Sequence, residues 1–343
     1  MFIFCASVLT VSAQTPKNII FMIGDGMGLA QLYAAMTANG GQLNIEQCTY
    51  TGFSKTYSAN HYITDSAAGG TALACGVKTK NGMIGMSPDT VAVPSLVVFA
   101  AEKKKSTGVV AVCSVTHATP ASFVAHQDNR NKDEAIASDF LKSPIDVFIG
   151  GGLKFFQDRS DKCDLTKELK KKGYLVALNM EEVKKAESGK LAGLLAYEHP
   201  ETALERGNML KEASLTAINL LNQNKNGFFL MIEGSQIDWA GHDNSESRTI
   251  SETLDFDATI GAVLDFAKND GNTLVVITAD HETGGLTIMN GDLKKRDVEL
   301  KFNKTDHTGL MVPVYAYGPG AEKFTGIQEN IEIPMKMKKM WSE

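Results

Sequence analysis

Short runs of uninterrupted apolar residues recur along this chain, and each ends abruptly in glycine or in residues that can carry chemistry. Residues 18–24 run into Asp25-Gly26-Met27-Gly28, 108–115 into Thr116-His117-Ala118-Thr119, and 145–149 into Gly150-Gly151-Gly152. Residues 228–232 run into Glu233-Gly234-Ser235, 273–278 into Ala279-Asp280-His281-Glu282, and 312–317 into Gly318-Pro319-Gly320. Runs this short, without polar alternation, suit strands buried on both faces. Helical patterns lie between them, over 95–104, 133–141, 166–172, 203–222 and 247–268. Alternating strands and helices predict an α/β fold, a three-layer α/β/α sandwich around a central, mostly parallel sheet. The 343 residues allow two domains or one large one. No internal repeat or low-complexity linker divides the chain, so residues 14–343 are expected to form a single catalytic domain. Its lysine-rich stretch at about 154–226 reads as a helical surface excursion with a solvated face.

Residues 1–13 are apolar and end in Val11-Ser12-Ala13, a small-residue cleavage pattern. A signal peptide without the usual basic start is the expectation, with a secreted or periplasmic destination. The run is too short to span a bilayer, and no later stretch is a transmembrane candidate. The net charge of −6 argues against nucleic-acid binding, which calls for a basic patch. An anionic substrate would therefore need local positive charge from metals or arginine. Cys5 would leave with the signal; Cys48, Cys75, Cys113 and Cys163 show no zinc-knuckle spacing and leave room for one or two disulfides.

In an open α/β sheet, ligands bind beyond the carboxyl ends of the strands. Asp25, His117 with Thr119, Glu233, and Asp280 with His281 each follow such an end. Asp238 and His242 are four residues apart, so a helix would project both from one face. His307 follows in Asp-His-Thr-Gly. Imidazole with carboxylate suits zinc, whereas the oxygen set of Asp25, Thr119 and Glu233 suits magnesium. Arg130, in a polar loop, offers a guanidinium able to grip two oxygens of a tetrahedral anion. His61, His126 and His199 fall outside these contexts and read as surface or structural residues. The loop around Asp25 fails the dinucleotide spacing, and its acidic residue would repel phosphate.

The stretch Thr64-Asp65-Ser66-Ala67-Ala68-Gly69-Gly70-Thr71-Ala72 combines a cap candidate (Thr64 or Asp65), helix-favouring alanines and two small residues for close packing. It places Ser66 at the positive end of a helix dipole, a setting that favours an alkoxide and then a phosphoryl group.

These motifs together resemble the alkaline phosphatase family. They are Phe-Met-Ile-Gly-Asp25-Gly-Met-Gly, Thr-Asp-Ser66-Ala-Ala-Gly-Gly-Thr-Ala, Thr-His117-Ala-Thr119-Pro-Ala, Ile-Glu233-Gly-Ser-Gln-Ile-Asp238, Thr-Ala-Asp280-His281-Glu-Thr-Gly-Gly and His307-Thr-Gly, in the family's order. The resemblance implies a phosphate monoester hydrolase with a phosphoserine intermediate on Ser66, two zinc ions and one magnesium. It gives Asp238, His242 and His307 to one zinc, Asp25, Asp280 and His281 to the other, Asp25, Thr119 and Glu233 to magnesium, and Arg130 to the phosphate. Some bacterial members carry Asp and Lys where this chain has His117 and Trp239. His117 then stands beside an altered third site that can accept zinc, and Trp239 becomes a candidate substrate contact. The short interval between His281 and His307 leaves little room for the insertion that covers the dimer in larger members, so monomer and homodimer both stay open. The competing functions are a phosphodiesterase of the same superfamily, which would normally carry threonine as nucleophile and lack the arginine, and a non-catalytic metal-binding scaffold.

Overall fold

A computed structural model describes residues 15–342. The signal-peptide expectation, with Cys5, therefore lies outside the described residues. The strands are β1 (Asn18–Gly24), β2 (Tyr50–Lys55), β3 (Ser106–Ser114), β4 (Val147–Gly151), β5 (Tyr174–Ala177), β6 (Lys190–Leu194), β7 (Phe228–Gly234), β8 (Thr273–Thr278), β9 (Glu282–Thr283), β10 (Thr287–Asp292), β11 (Asp297–Lys301), β12 (His307–Thr308), β13 (Val312–Tyr317) and β14 (Gly326–Glu329). Ten of them form one sheet in the order β14-β2-β13-β8-β1-β7-β3-β4-β6-β5. All neighbours in it are parallel except β13, which runs antiparallel to both β8 and β2.

The two-residue period of a strand builds the layers. In β1, Ile19, Phe21 and Ile23 enter one core while Ile20 and Met22 enter the other. The first core is closed by helices that include Ser66–Cys75, Leu96–Glu102, Asp133–Phe140 and Glu332–Met340. The second is closed mainly by Met209–Leu221 and the long Glu246–Asp270. Both faces of β1, β7 and β8 are thereby sealed, which is why their sequences are continuously apolar.

Several elements depart from the expectation. The supposed helical excursion contributes β5 and β6 to the edge of the sheet; their apolar stretches are short and flanked by lysines, so no strand signal stood out. The helical pattern over 203–222 breaks into Ala203–Arg206 and Met209–Leu221 at Gly207, whose φ is +58°. The hairpin of β10 and β11 and the small pair of β9 with β12 also went unforeseen. Among the described residues Cys48, Cys75, Cys113 and Cys163 are all free thiols. Cys48 and Cys75 are buried in opposite cores and Cys163 is exposed, so their positions do not favour pairing.

The Ser66–Cys75 helix is buried along its whole length and lies flush against the functional edge. A Cβ on Gly69 would stand 3.0 Å from Asp280 Cβ, and one on Gly70 would stand 3.2 Å from Thr119 Cα. Gly69→Val should therefore push the helix off the turn after β8. We expect it to destabilise the fold by about 1–3 kcal/mol, seen as a lower urea midpoint, and to depress turnover in the same preparation. An unchanged midpoint would mean that the packing has slack here.

Candidate active site

Four adjacent strands, β8, β1, β7 and β3, deliver Asp280 with His281, Asp25, Glu233 and His117 to one edge of the sheet. Asp25 follows β1 in a tight turn, where Gly26 has φ +74° and a Cβ would meet Asp238 Cα at 2.7 Å. Gln236–His242 is helical, and it sets Asp238 Oδ2 3.4 Å from His242 Nε2. The pairing of β9 with β12 lays His307 opposite Thr283. Asp25, Glu233, Asp238, Asp280, His281 and His307 are all buried.

The polarity of the imidazoles is fixed by what surrounds them. His242 Nδ1 is 2.8 Å from the Thr305 carbonyl and His307 Nδ1 is 2.9 Å from the Thr64 carbonyl. A carbonyl only accepts, so each Nδ1 carries a hydrogen, and in the neutral ring each Nε2 is left as a lone pair. His281 follows the same logic: Thr283 Oγ1 donates to Asp238 and so accepts from His281 Nδ1 at 3.2 Å. All three Nε2 atoms then face inward. Those of His242 and His307 are 3.1 Å apart, with Asp238 Oδ1 3.4 Å from His307 Nε2. His281 Nε2 lies 3.3 Å from Ser66 Oγ, 3.2 Å from Asp280 Oδ2 and 3.4 Å from Asp25 Oδ1.

Acceptors outnumber protons in this volume. Asp25 Oδ1, Asp280 Oδ2 and Glu233 Oε1 are buried without a hydrogen-bond partner. Such atoms are costly unless something positive meets them. The donor atoms of Asp25, Asp280 and His281 lie within 4.8 Å of one another, as do those of Asp238, His281 and His307 and those of Cys113, His117 and Glu233. Thr119 Oγ1 reaches Asp25 Oδ2 at 3.4 Å. The sequence-derived ligand candidates therefore converge, and their chemistry fits divalent cations: nitrogen with carboxylate for zinc, and carboxylate with hydroxyl for magnesium.

The titration behaviour reports the same imbalance. Burial, with Asp280, Asp238 and Glu233 nearby, raises the Asp25 carboxyl well above its ordinary value. Burial raises Glu233 to about 7, and burial with the Asp238 charge raises Asp280 to about 6. Burial pushes Asp238 the same way, but its hydrogen bonds to His242 and His307 prevail and hold it well below the carboxylate range. In return the hydrogen bond to Asp238 lifts His242 to about 9. Burial, then the Arg130 charge, lowers His117 to about 3.

Ser66 is the first residue of its helix, and Asp65 Oδ1 caps that helix by accepting from the Ala68 N–H at 2.9 Å. The other oxygen of Asp65 lies 3.3 Å from Arg130 NH1 and accepts from the Gly82 N–H at 2.9 Å. Arg130 NH2 donates toward His117 Nε2 at 3.2 Å. Trp239 packs its ring on His199 and His117, at centroid distances of 4.8 and 5.8 Å. His199 accepts from the Ser114 N–H at 3.0 Å, a structural tie at the end of β3. An open cavity of about 430 Å³, lined by Tyr62, Thr64, Asp65, Asn81, Asp306 and His307, gives access to the site. A larger cavity of about 670 Å³ beside Leu29, Phe53 and Met311 is apolar; its one carboxylate, Glu282, is tied to Gln31 and the Leu286 N–H.

Sequence reasoning missed four contributors. Thr283 sets the His281 tautomer, Asp65 joins the serine helix to Arg130, Ser235 donates to Glu233 Oε2 at 2.6 Å, and Cys113 Sγ lies 3.3 Å from the same oxygen. Only Asp65 carried a local signal, as a cap candidate, and that signal did not reveal its second partner.

The chain matches the family model described as Alkaline phosphatase over residues 16–298 and 289–342. Alkaline phosphatase 4 of Bacillus subtilis (strain 168) is 38% identical over 92% of this chain and 87% of its own. The structure of alkaline phosphatase from the Antarctic bacterium TAB5 superposes with a TM-score of 0.91 at 44% identity, covering 96% of this chain and 99% of that one. A further structure of the TAB5 enzyme, with one histidine replaced by aspartate, has Mg bound in the M3 site; it is 43% identical, with a TM-score of 0.91 over 96% and 99% of the two chains.

Cation binding should govern stability with a definite pH dependence. In the metal-free fold Asp280 and Glu233 keep their protons to about pH 6 and 7, whereas in the unfolded chain both release them near pH 4. Their contribution is thus fully present below about pH 4 and is lost as pH rises through 6 and 7, when bare charges must be buried. The elevated His242 acts in the same direction up to about 9. Depressed His117 acts oppositely, costing stability below its unfolded value of about 6.5. Cations bind the deprotonated ligands, so their stabilisation grows over the window in which the carboxylates ionise. The melting-temperature gap between metal-loaded and chelator-stripped protein should widen from about pH 5 to about pH 8. A gap that stays constant would contradict the placement of cations among these side chains.

Proposed function

The chain belongs to the alkaline phosphatase family and is an enzyme of that class, and on this premise we propose that it hydrolyses phosphate monoesters through a phosphoserine on Ser66. The observation that carries this reading is the contact of Ser66 Oγ with the inward Nε2 of His281, inside a shell of unpartnered carboxylate oxygens. In it Asp238, His242 and His307 would hold one zinc and Asp25, Asp280 and His281 a second. Asp25, Thr119 and Glu233 would hold magnesium, with His117 at the margin of that third site. Bound there, the cations supply positive charge that makes the serine hydroxyl more acidic and offsets charge growing on the leaving oxygen.

Ser66 is held for attack by its capped helix start, where the first-turn N–H groups favour negative charge on its oxygen. The Ser66 Oγ–phosphorus bond forms as the bond from phosphorus to the ester oxygen breaks, and the alcohol leaves with a proton. Water then cleaves the phosphoserine and releases phosphate. Arg130, steadied by Asp65, offers two parallel N–H donors to the non-bridging oxygens. Positioning of this kind, with charge stabilisation, is most of what phosphoryl transfer asks of a protein. In this reading His117, an imidazole near oxygen ligands, weakens magnesium and admits zinc at the third site. The reading extends to secretion or a periplasmic location, on the apolar run over 1–13.

Ser66→Ala should fold normally and yield no acid-stable phosphoenzyme from an aryl phosphate, while wild type traps phosphate on Ser66. Wild-type protein that never carries phosphate there would refute the covalent route. An aryl phosphate should be turned over far faster than its diester or sulfate; a preference for the diester would move the assignment to a phosphodiesterase.

Arg130→Ala should weaken inhibition by inorganic phosphate. Losing a two-pronged charged contact costs about 2–3 kcal/mol, roughly a hundredfold in the inhibition constant. An unaltered constant would show that Arg130 does not touch phosphate.

A further inference from the structure

One of the three donor groups contains sulfur. Cys113 is fully buried in β3, and its Sγ belongs with a nitrogen of His117 and a carboxylate oxygen of Glu233 to a set within 4.8 Å. Its distance to Glu233 Oε2 is 3.3 Å. A zinc ion with ligands at about 2.0–2.3 Å holds its donors roughly 3.3–3.8 Å apart, so this pair already has the right spacing. A further observation points to a ligand: Glu233 is wholly buried and its Oε1 has no partner. Glu233, assigned above with Thr119 and Asp25 to the third cation, is thus also grouped with the sulfur of Cys113 and a nitrogen of His117.

We propose that Cys113 is a ligand of the third cation and turns that position into a zinc site with sulfur, nitrogen and oxygen donors. Thiolate is soft and strongly prefers zinc to magnesium, and imidazole adds to that preference. On binding, the Sγ–H bond breaks, the Sγ–zinc bond forms and one proton passes to solvent. The other arrangement these atoms allow is a thiol that merely donates to Glu233 Oε2 or to the Ser114 carbonyl, 3.2 Å away. The inference rests on the metal-dependent reading above for the other two groups.

Cobalt separates the two arrangements, because cobalt bound to thiolate gives an intense near-ultraviolet charge-transfer band that nitrogen and oxygen ligands do not. The full chain, stripped and reloaded with cobalt, should show this band, keep it in Cys163→Ser and lose it in Cys113→Ser. Elemental analysis after equilibration with mixed zinc and magnesium should show the third-site preference for zinc falling in Cys113→Ser by about ten- to a hundredfold. Should Cys113→Ser fail to fold, the band in wild type and Cys163→Ser decides alone. Protein that binds cobalt, hydrolyses an aryl phosphate and shows no band overturns the thiolate ligand and leaves Cys113 a hydrogen-bond donor. Protein that binds no cobalt and hydrolyses nothing overturns the metal-dependent reading along with it.

Discussion

Three backbone or hydroxyl oxygens decide the character of this site. The Thr64 and Thr305 carbonyls and the Thr283 hydroxyl each take the Nδ1 hydrogen of a histidine, so His307, His242 and His281 all turn a bare Nε2 toward Asp25, Asp238 and Asp280. Lone pairs and carboxylates pressed together out of water repel, and only protons or cations relieve them. Without a cation the group borrows a proton, as the elevated His242 shows. The same outward hydrogen bonds hold each ring at a fixed angle, which is how the surroundings of a metal ligand set its aim.

The nucleophile is tied to this charge cluster from two directions. The glycine face of its helix abuts Asp280 and Thr119, so the backbone carrying Ser66 is referenced to two ligand-bearing segments. Asp65 then links the start of that helix to Arg130 through its two oxygens. A group that caps with one atom and orients with the other couples the serine to the anion-binding guanidinium without intervening loops.

Much of this was legible in the sequence because buried parallel strands must be apolar throughout, which makes their ends conspicuous. Asp25, Glu233, Asp280 and His117 were found that way, and the four-residue spacing of Asp238 and His242 predicted their shared helical face. The partners that set ring polarity were not legible, since any residue has a carbonyl and Thr64 and Thr305 contribute theirs from loops. Cys113 was read only as a disulfide candidate, because nothing local tells a buried thiol from one beside a carboxylate. Strands β5 and β6 hid behind flanking lysines that belong to the surface of the sheet's edge.

The order of strands carries a consequence for how such a chain acquires its structure. β1, near the beginning of the described chain, finds its neighbours in β7 and β8, so Ile19 sits against Phe229 on one side and Leu274 on the other. A chain made from its amino terminus exposes this apolar strand until most of its length has been synthesised. Contacts of such large sequence separation form slowly, because a long loop must close before they repay its entropy. Asp25 meets Glu233 and Asp280 only when those pairings are made. Assembly of the charge cluster is therefore a late folding event, and a nascent chain of half length has a nucleophile but nowhere to use it.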